Sequence, residues 1–118
     1  MRALTREIAR GLAGTVQRVE VPAHDAVVYI RPVNAAAIVR WAGMPDGAAA
    51  NAELVALSVC DEEGAPFFYL EQAVRPELSL EEAVREVGEW PSTLFYPVFN
   101  AALALNGMSG SQGHDAGN

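Results

Sequence analysis

Lysine is absent from this 118-residue chain, and cysteine occurs only once. Without lysine there can be no G-x-x-x-x-G-K-[ST] loop, whose lysine reaches the bound phosphates. A lone Cys60 cannot close an internal disulfide, and no apolar leader with a small-residue cleavage site follows Met1, so a reducing cytoplasm is the expected compartment. Histidine is scarce too: His24 and His114, far apart and joined by one thiol, cannot build a tetrahedral nitrogen and sulfur metal site. No apolar run approaches the ~20 residues of a membrane-spanning helix. Eight Arg against 15 acidic residues leave a net charge of −7, the wrong sign for neutralising phosphates, so nucleic acid is not an expected partner.

Apolar residues are plentiful, at 51%, although 21 of them are alanine. The remainder suffices for one small core and is too rich for a disordered chain. Charge is segregated: residues 1–40 carry six Arg against Glu7, Glu20 and Asp25, and residues 41–118 carry two Arg against twelve acids. The basic start could meet an acidic partner or a neighbouring copy of the same chain, while the acidic body keeps the molecule soluble. Seven of the nine aromatic residues lie between Phe67 and Phe99. That stretch holds either the core or a contact surface.

The periodicities predict an α+β fold: small antiparallel β-hairpins forming a sheet, packed with three to four α-helices, the C-terminal part helical. Leu4, Ile8 and Leu12 recur every fourth residue beside arginines, giving residues 1–14 the pattern of a short amphipathic helix or a frayed arm. Residues 16–21 and 27–33 read as two strands around a Pro22–Asp25 turn. Asn34 then caps a helix with Ala35, Ile38, Val39 and Ala42 as its apolar face and Gly43 as its stop. Residues 44–50 read as a loop. Residues 52–60 begin with good helix formers, yet Val55, Leu57 and Val59 alternate with small residues, and the turn at Asp61–Gly64 followed by aromatic residues 65–69 favours a second hairpin. Ser79 and Glu82 have capping-box spacing before a helix bearing Leu80, Ala83, Val84 and Val87. A last helix from about Ser92 to Asn106 has Pro97 set awkwardly inside it and Gly107 as its stop. One domain over 1–107 and a disordered polar tail over 108–118 complete the expectation.

Catalytic chemistry finds no foothold in this pattern. Cys60 adjoins Asp61, whose carboxylate disfavours a thiolate, and no histidine lies near it in sequence. His24–Asp25 is an adjacent pair on a turn, which does not make a triad. Asp61-Glu62-Glu63-Gly64 lacks the alternating ligands of a calcium loop. No catalytic, metal or cofactor residue is therefore expected, and a binding protein is. Most of Phe67, Phe68, Phe95 and Phe99 belong in a core, whereas Trp90 beside Pro91, and Tyr96, are the better candidates for a partner surface, with Phe68 and Tyr69 added from the aromatic run.

The stretch NAELVALSVCDEEGAPFFYLEQAV (51–74), then LFYPVFNAALALNG (94–107), with VEVPAHDAVVYIRPVNAAAIVRWAG (19–43) upstream, resembles the tail assembly chaperones of long-tailed bacteriophages. Members of that family often show a run of the form LVxLSVxDExGxPLF, then a short acidic helical segment and a Leu/Ala-rich helix closing on a Leu-Asn-Gly-like stop; this chain departs from the family at 70–74 and in the prolines around the last helix. The resemblance implies a non-enzymatic protein that coats the tape measure protein in the host cytoplasm, recruits major tail tube subunits and is absent from the finished virion. It also implies a longer product made by frameshifting near residue 107. The alternative from another class is a small cytoplasmic adaptor or regulatory domain that binds one folded protein.

Overall fold

Local hydrogen bonds start most of the helices. In the computed structural model, which describes residues 3–65 and 79–108, Thr5 accepts the Ile8 amide at 3.1 Å and caps helix α1, Arg6–Ala13. Strands β1 (Gln17–Val21) and β2 (Ala26–Ile30) form the expected hairpin, antiparallel with Val19 opposite Val28. A 3₁₀ turn over Pro22–His24 joins them, and Asp25 takes the left-handed conformation (φ 49°) that a short polar side chain tolerates.

Asn34 caps α2 (Ala35–Gly43), its Oδ1 accepting the Ala37 amide at 2.8 Å, as expected. The buried face of α2 differs from the expected one. Val39 stands in solvent, Ile38 is half-buried, and Trp41 is the fully buried residue, its indole N–H donating to Asn51 Oδ1 at 3.3 Å. One large ring with a polar handle that needs a partner outweighs a stripe of small aliphatics in orienting the helix.

The segment expected as a loop and then a strand is neither. Asp46 accepts the Ala48 and Ala49 amides and caps α3, Gly47–Ser58, which absorbs most of 44–50 and of 52–60. Only Val59–Cys60 remains as a strand, β3. The reason is burial: residues 50–56 and Ser58 are all inside, so α3 has no polar face, and no 3.6-residue period marks it. Its alanines, Leu54 and Glu53 favour a helix intrinsically. Ser58 caps the change of direction from within, its hydroxyl donating to the Leu54 carbonyl at 2.7 Å.

The sheet has the order β1-β2-β3, all antiparallel, with Tyr29 opposite Cys60 and Ile30 opposite Val59. The turn after β3 is as expected. Asp61 Oδ1 accepts the Glu63 and Ala65 amides, both at 2.9 Å, and Gly64 supplies the positive φ of 90°. A Cβ there would meet Val16 Cγ2 at 3.2 Å. The partner strand of the expected second hairpin, including Phe68 and Tyr69, lies outside the described residues, as does the tail from 109 on.

Ser79 Oγ accepts the Glu82 amide at 3.2 Å and opens α4, Leu80–Gly88, which lays Ala83 and Val87 against α3. Pro91 leads into α5, Ser92–Leu105. Pro97 is inside α5, so the helix begins before it, and the amide it lacks would have bonded the Thr93 carbonyl. The helix closes on Gly107 (φ 74°), with Gly107 N–H to the Ala104 carbonyl at 3.0 Å and Met108 N–H to the Leu103 carbonyl at 2.8 Å. Met108 packs against the core and so belongs to this cap and not to the tail.

The result is an α+β fold with α3 as its axle: α2, α4 and α5 pack around it, and α5 carries the hairpin on its other side. Ile30, Leu54, Val55, Val59, Val87 and Val98 meet at the centre.

Candidate interaction site around Trp90

The junction between α4 and α5 shapes the surface. Gly88 ends α4, the Trp90 amide donates back to the Val87 carbonyl at 3.0 Å, and Pro91 prevents the first helix from continuing into the second. Trp90 is thereby held half-buried against the core as a wall with a depression on either side.

On one side a cavity of about 250 Å³ lies between α3, α4 and the start of α5. Ala48, Asn51 and Ala52 form one wall, and Trp90, Phe95 and Tyr96 the other. Tyr96 is 51% exposed and meets Phe95 edge to face at 5.3 Å, while Phe95 stacks on buried Phe99 at 5.6 Å. This file of rings runs from solvent to core. It offers a rigid apolar ledge with one hydroxyl, the type of surface that anchors protein partners.

On the other side a groove of about 560 Å³ is lined by β2, β3 and Leu94, with Asp61, Glu62 and Glu86 at its edge. Val27 of this groove is exposed, and Tyr29 and Leu94 are half-buried.

Two of the four residues singled out from the sequence, Trp90 and Tyr96, thus line one cavity. Trp90 is less exposed than expected, because it packs on the core. Phe68 and Tyr69 lie outside the described residues. Of the rings expected inside, Phe99 is buried and Phe95 half-buried. Val27, Tyr29 and Leu94 were missed. They come from a strand and a helix some 65 positions apart, and nothing in the local pattern of either segment announces the groove between them.

Cys60 and His24 lie apart from the cavity that Trp90, Phe95 and Tyr96 line. Cys60 is buried on β3, and burial pushes its thiol up, Asp61 adding to the rise and Arg31 opposing it. His24 Nε2 pairs with Thr93 Oγ1 at 2.7 Å and ties the hairpin turn to α5. Among the described residues no three His, Cys, Asp or Glu side chains gather as metal ligands, and no helix is long and apolar enough to cross a membrane. A scan against protein-family models and searches of curated proteins and of solved structures each found no match.

Proposed function

We propose that this protein is a non-enzymatic holding chaperone of the phage tail assembly class, acting in the host cytoplasm on the tape measure protein and delivering tail tube subunits to it. The carrying observation is the apolar ledge of Trp90, Phe95 and Tyr96 lining one cavity, beside an α4 that presents Glu81 and Glu86 to solvent, with Glu89 exposed just past its end. A chaperone for apolar helices needs that combination of contact area and like charge, so that the loaded complex stays in solution. The likeness of segments 19–43, 51–74 and 94–107 to that family supports the same reading.

Co-expression with a helical tape measure fragment tests it. The fragment should remain soluble in the presence of this protein and co-purify with it, and Tyr96→Ala should weaken capture by about tenfold while leaving the melting temperature nearly unchanged, since the ring is half in solvent. A fragment that precipitates equally with and without the protein overturns the proposal. Capture of a folded cellular protein in its place would favour the adaptor alternative.

A further inference from the structure

Strand β1 lies at one edge of the sheet, and the ladder decides which of its groups face outward. The Arg31 amide donates to the Ser58 carbonyl at 2.9 Å, continuing the pairing of β2 with β3, so residue 31 and, two positions back, Tyr29 turn their main-chain groups toward β3. Val28 and Ile30 then turn theirs toward β1, and their partners Val19 and Gln17 answer from the other side. By the same alternation the amides and carbonyls of Arg18 and Glu20 point away from the sheet, and among the described residues no group bonds them. Apart from β2 and helix α5, no described element makes extensive contact with β1. A row of unpaired main-chain donors and acceptors is a template for another strand.

The side chains of this edge are complementary to themselves. Val19 and Val21 are buried, while Arg18 and Glu20 stand on the solvent face, 53% and 67% exposed, and pair with each other. Laid antiparallel to a second β1 with Val19 opposite Val19, the strand sets Arg18 opposite Glu20 and Glu20 opposite Arg18. These are the two positions whose outward groups can exchange hydrogen bonds, so four main-chain bonds form and the four charges alternate in sign around a square. Neither neighbouring register does this. Slid two residues one way, Arg18 meets Arg18; slid the other way, Glu20 meets Glu20, and Arg18 falls opposite Pro22, which has no amide to donate.

We propose that two copies of this chain join edge to edge through β1, forming one six-stranded sheet across a two-fold axis at Val19. The main-chain bonds hold the strands together, and the Arg18 and Glu20 pairs select the register and the partner. The net charge of −7 on each copy opposes approach, so the dimer is weak and reversible. Because both copies use the same strand, the contact is closed: it stops at two and leaves β1 no edge on which further chains could add. It does not involve the Tyr96 ledge and holds whether or not the tail assembly reading does.

Sedimentation of the full chain at rising concentration, with circular dichroism as the check on folding, tests it. Wild type should pass from monomer to dimer and go no further. Glu20→Arg sets arginine opposite arginine and Arg18→Glu sets acid opposite acid, so each alone should weaken the dimer by at least about tenfold. Glu20→Arg also makes the chain less negative by two charges, so general repulsion would change in the opposite direction. Mixed together, the two variants should form a 1:1 heterodimer, since every facing pair is again opposite in sign. Should a single variant fail to fold, Arg18→Glu/Glu20→Arg, which keeps the pair within the strand, should dimerise like the wild type. Hydrogen exchange reads the backbone directly: the Arg18 and Glu20 amides should exchange freely in dilute solution and become protected as the dimer forms. A wild type that stays monomeric at every concentration or grows past two, a dimer that survives Glu20→Arg, a mixture that remains monomeric, an exchanged pair that no longer dimerises, or a dimer whose Arg18 and Glu20 amides stay unprotected would each overturn the proposal.

Discussion

Breaking the contact between Arg40 and Glu53 should destabilise the fold through the acid that is left behind. The guanidinium grips the carboxylate with two nitrogens, Nε to Oε2 at 3.2 Å and Nη2 to Oε1 at 3.1 Å, and so ties α2 to α3. The two side chains are very unequally exposed, 66% for Arg40 and 4% for Glu53. Removing one partner of a fully buried pair costs about 3–5 kcal/mol, whereas exposed pairs are worth about 0.2–1 kcal/mol. With water reaching the arginine end only, Arg40→Met should cost about 2 kcal/mol, because Glu53 stays buried without its cation; methionine keeps the apolar stem, so lost packing contributes little. In a domain of this size that is a fall of about 8 °C in melting temperature. Glu53→Gln alone should cost about 1 kcal/mol or less, since the freed arginine is solvated and the amide oxygen still accepts a hydrogen bond. The decisive measurement is the double variant by urea denaturation: Arg40→Met/Glu53→Gln should be about 1 kcal/mol more stable than Arg40→Met, because a buried amide needs no counter-charge. If the double variant is no more stable than Arg40→Met, the stranded carboxylate is not the cause and the reasoning fails.

Other consequences follow from single groups. Asp46→Ala removes the acceptor of the Ala48 and Ala49 amides and should cost about 1 kcal/mol in urea denaturation, where a loop at 44–50 would make the change neutral. Burial raises the Cys60 thiol above its ordinary value, so the folded state holds that proton more tightly than the unfolded chain does. Its contribution is therefore complete below the unfolded thiol's ~8.5 and is lost as the pH rises through the folded value; wild type should lose more stability than Cys60→Ala between about pH 8 and pH 10, and parallel slopes would refute the assignment. In the native protein the same thiol should react with a disulfide reagent only as fast as the strand opens.

Where structure depends on one or two neighbouring side chains, the sequence is readable. Asn34, Ser79, Gly64 and Gly107 each act within a few positions of themselves, through a hydrogen bond to a nearby amide or a positive φ, and each sits where its residue type predicts. Readability fails where the environment is built from far away. Helix α3 is enclosed on every side, and enclosure erases the polar face from which a helical period would be read; Val55, Leu57 and Val59 then alternate with small residues by composition alone. Asp46 is the available signal, an acid directly before Gly-Ala-Ala-Ala, although residues 44–50 taken together read as a loop. The same logic governs the site. Tyr96 and Trp90 could be singled out because a helix start after a proline tends to leave rings at the surface, which is a local property. The groove on the other side of Trp90 could not, since β2 and α5 are far apart in the chain and meet only in the folded protein, where α5 packs directly on the hairpin. A catalytic centre would have imposed fixed residue types, and a metal site fixed spacings. A contact surface imposes neither, only apolar area and edge charge, and these are properties of the folded chain.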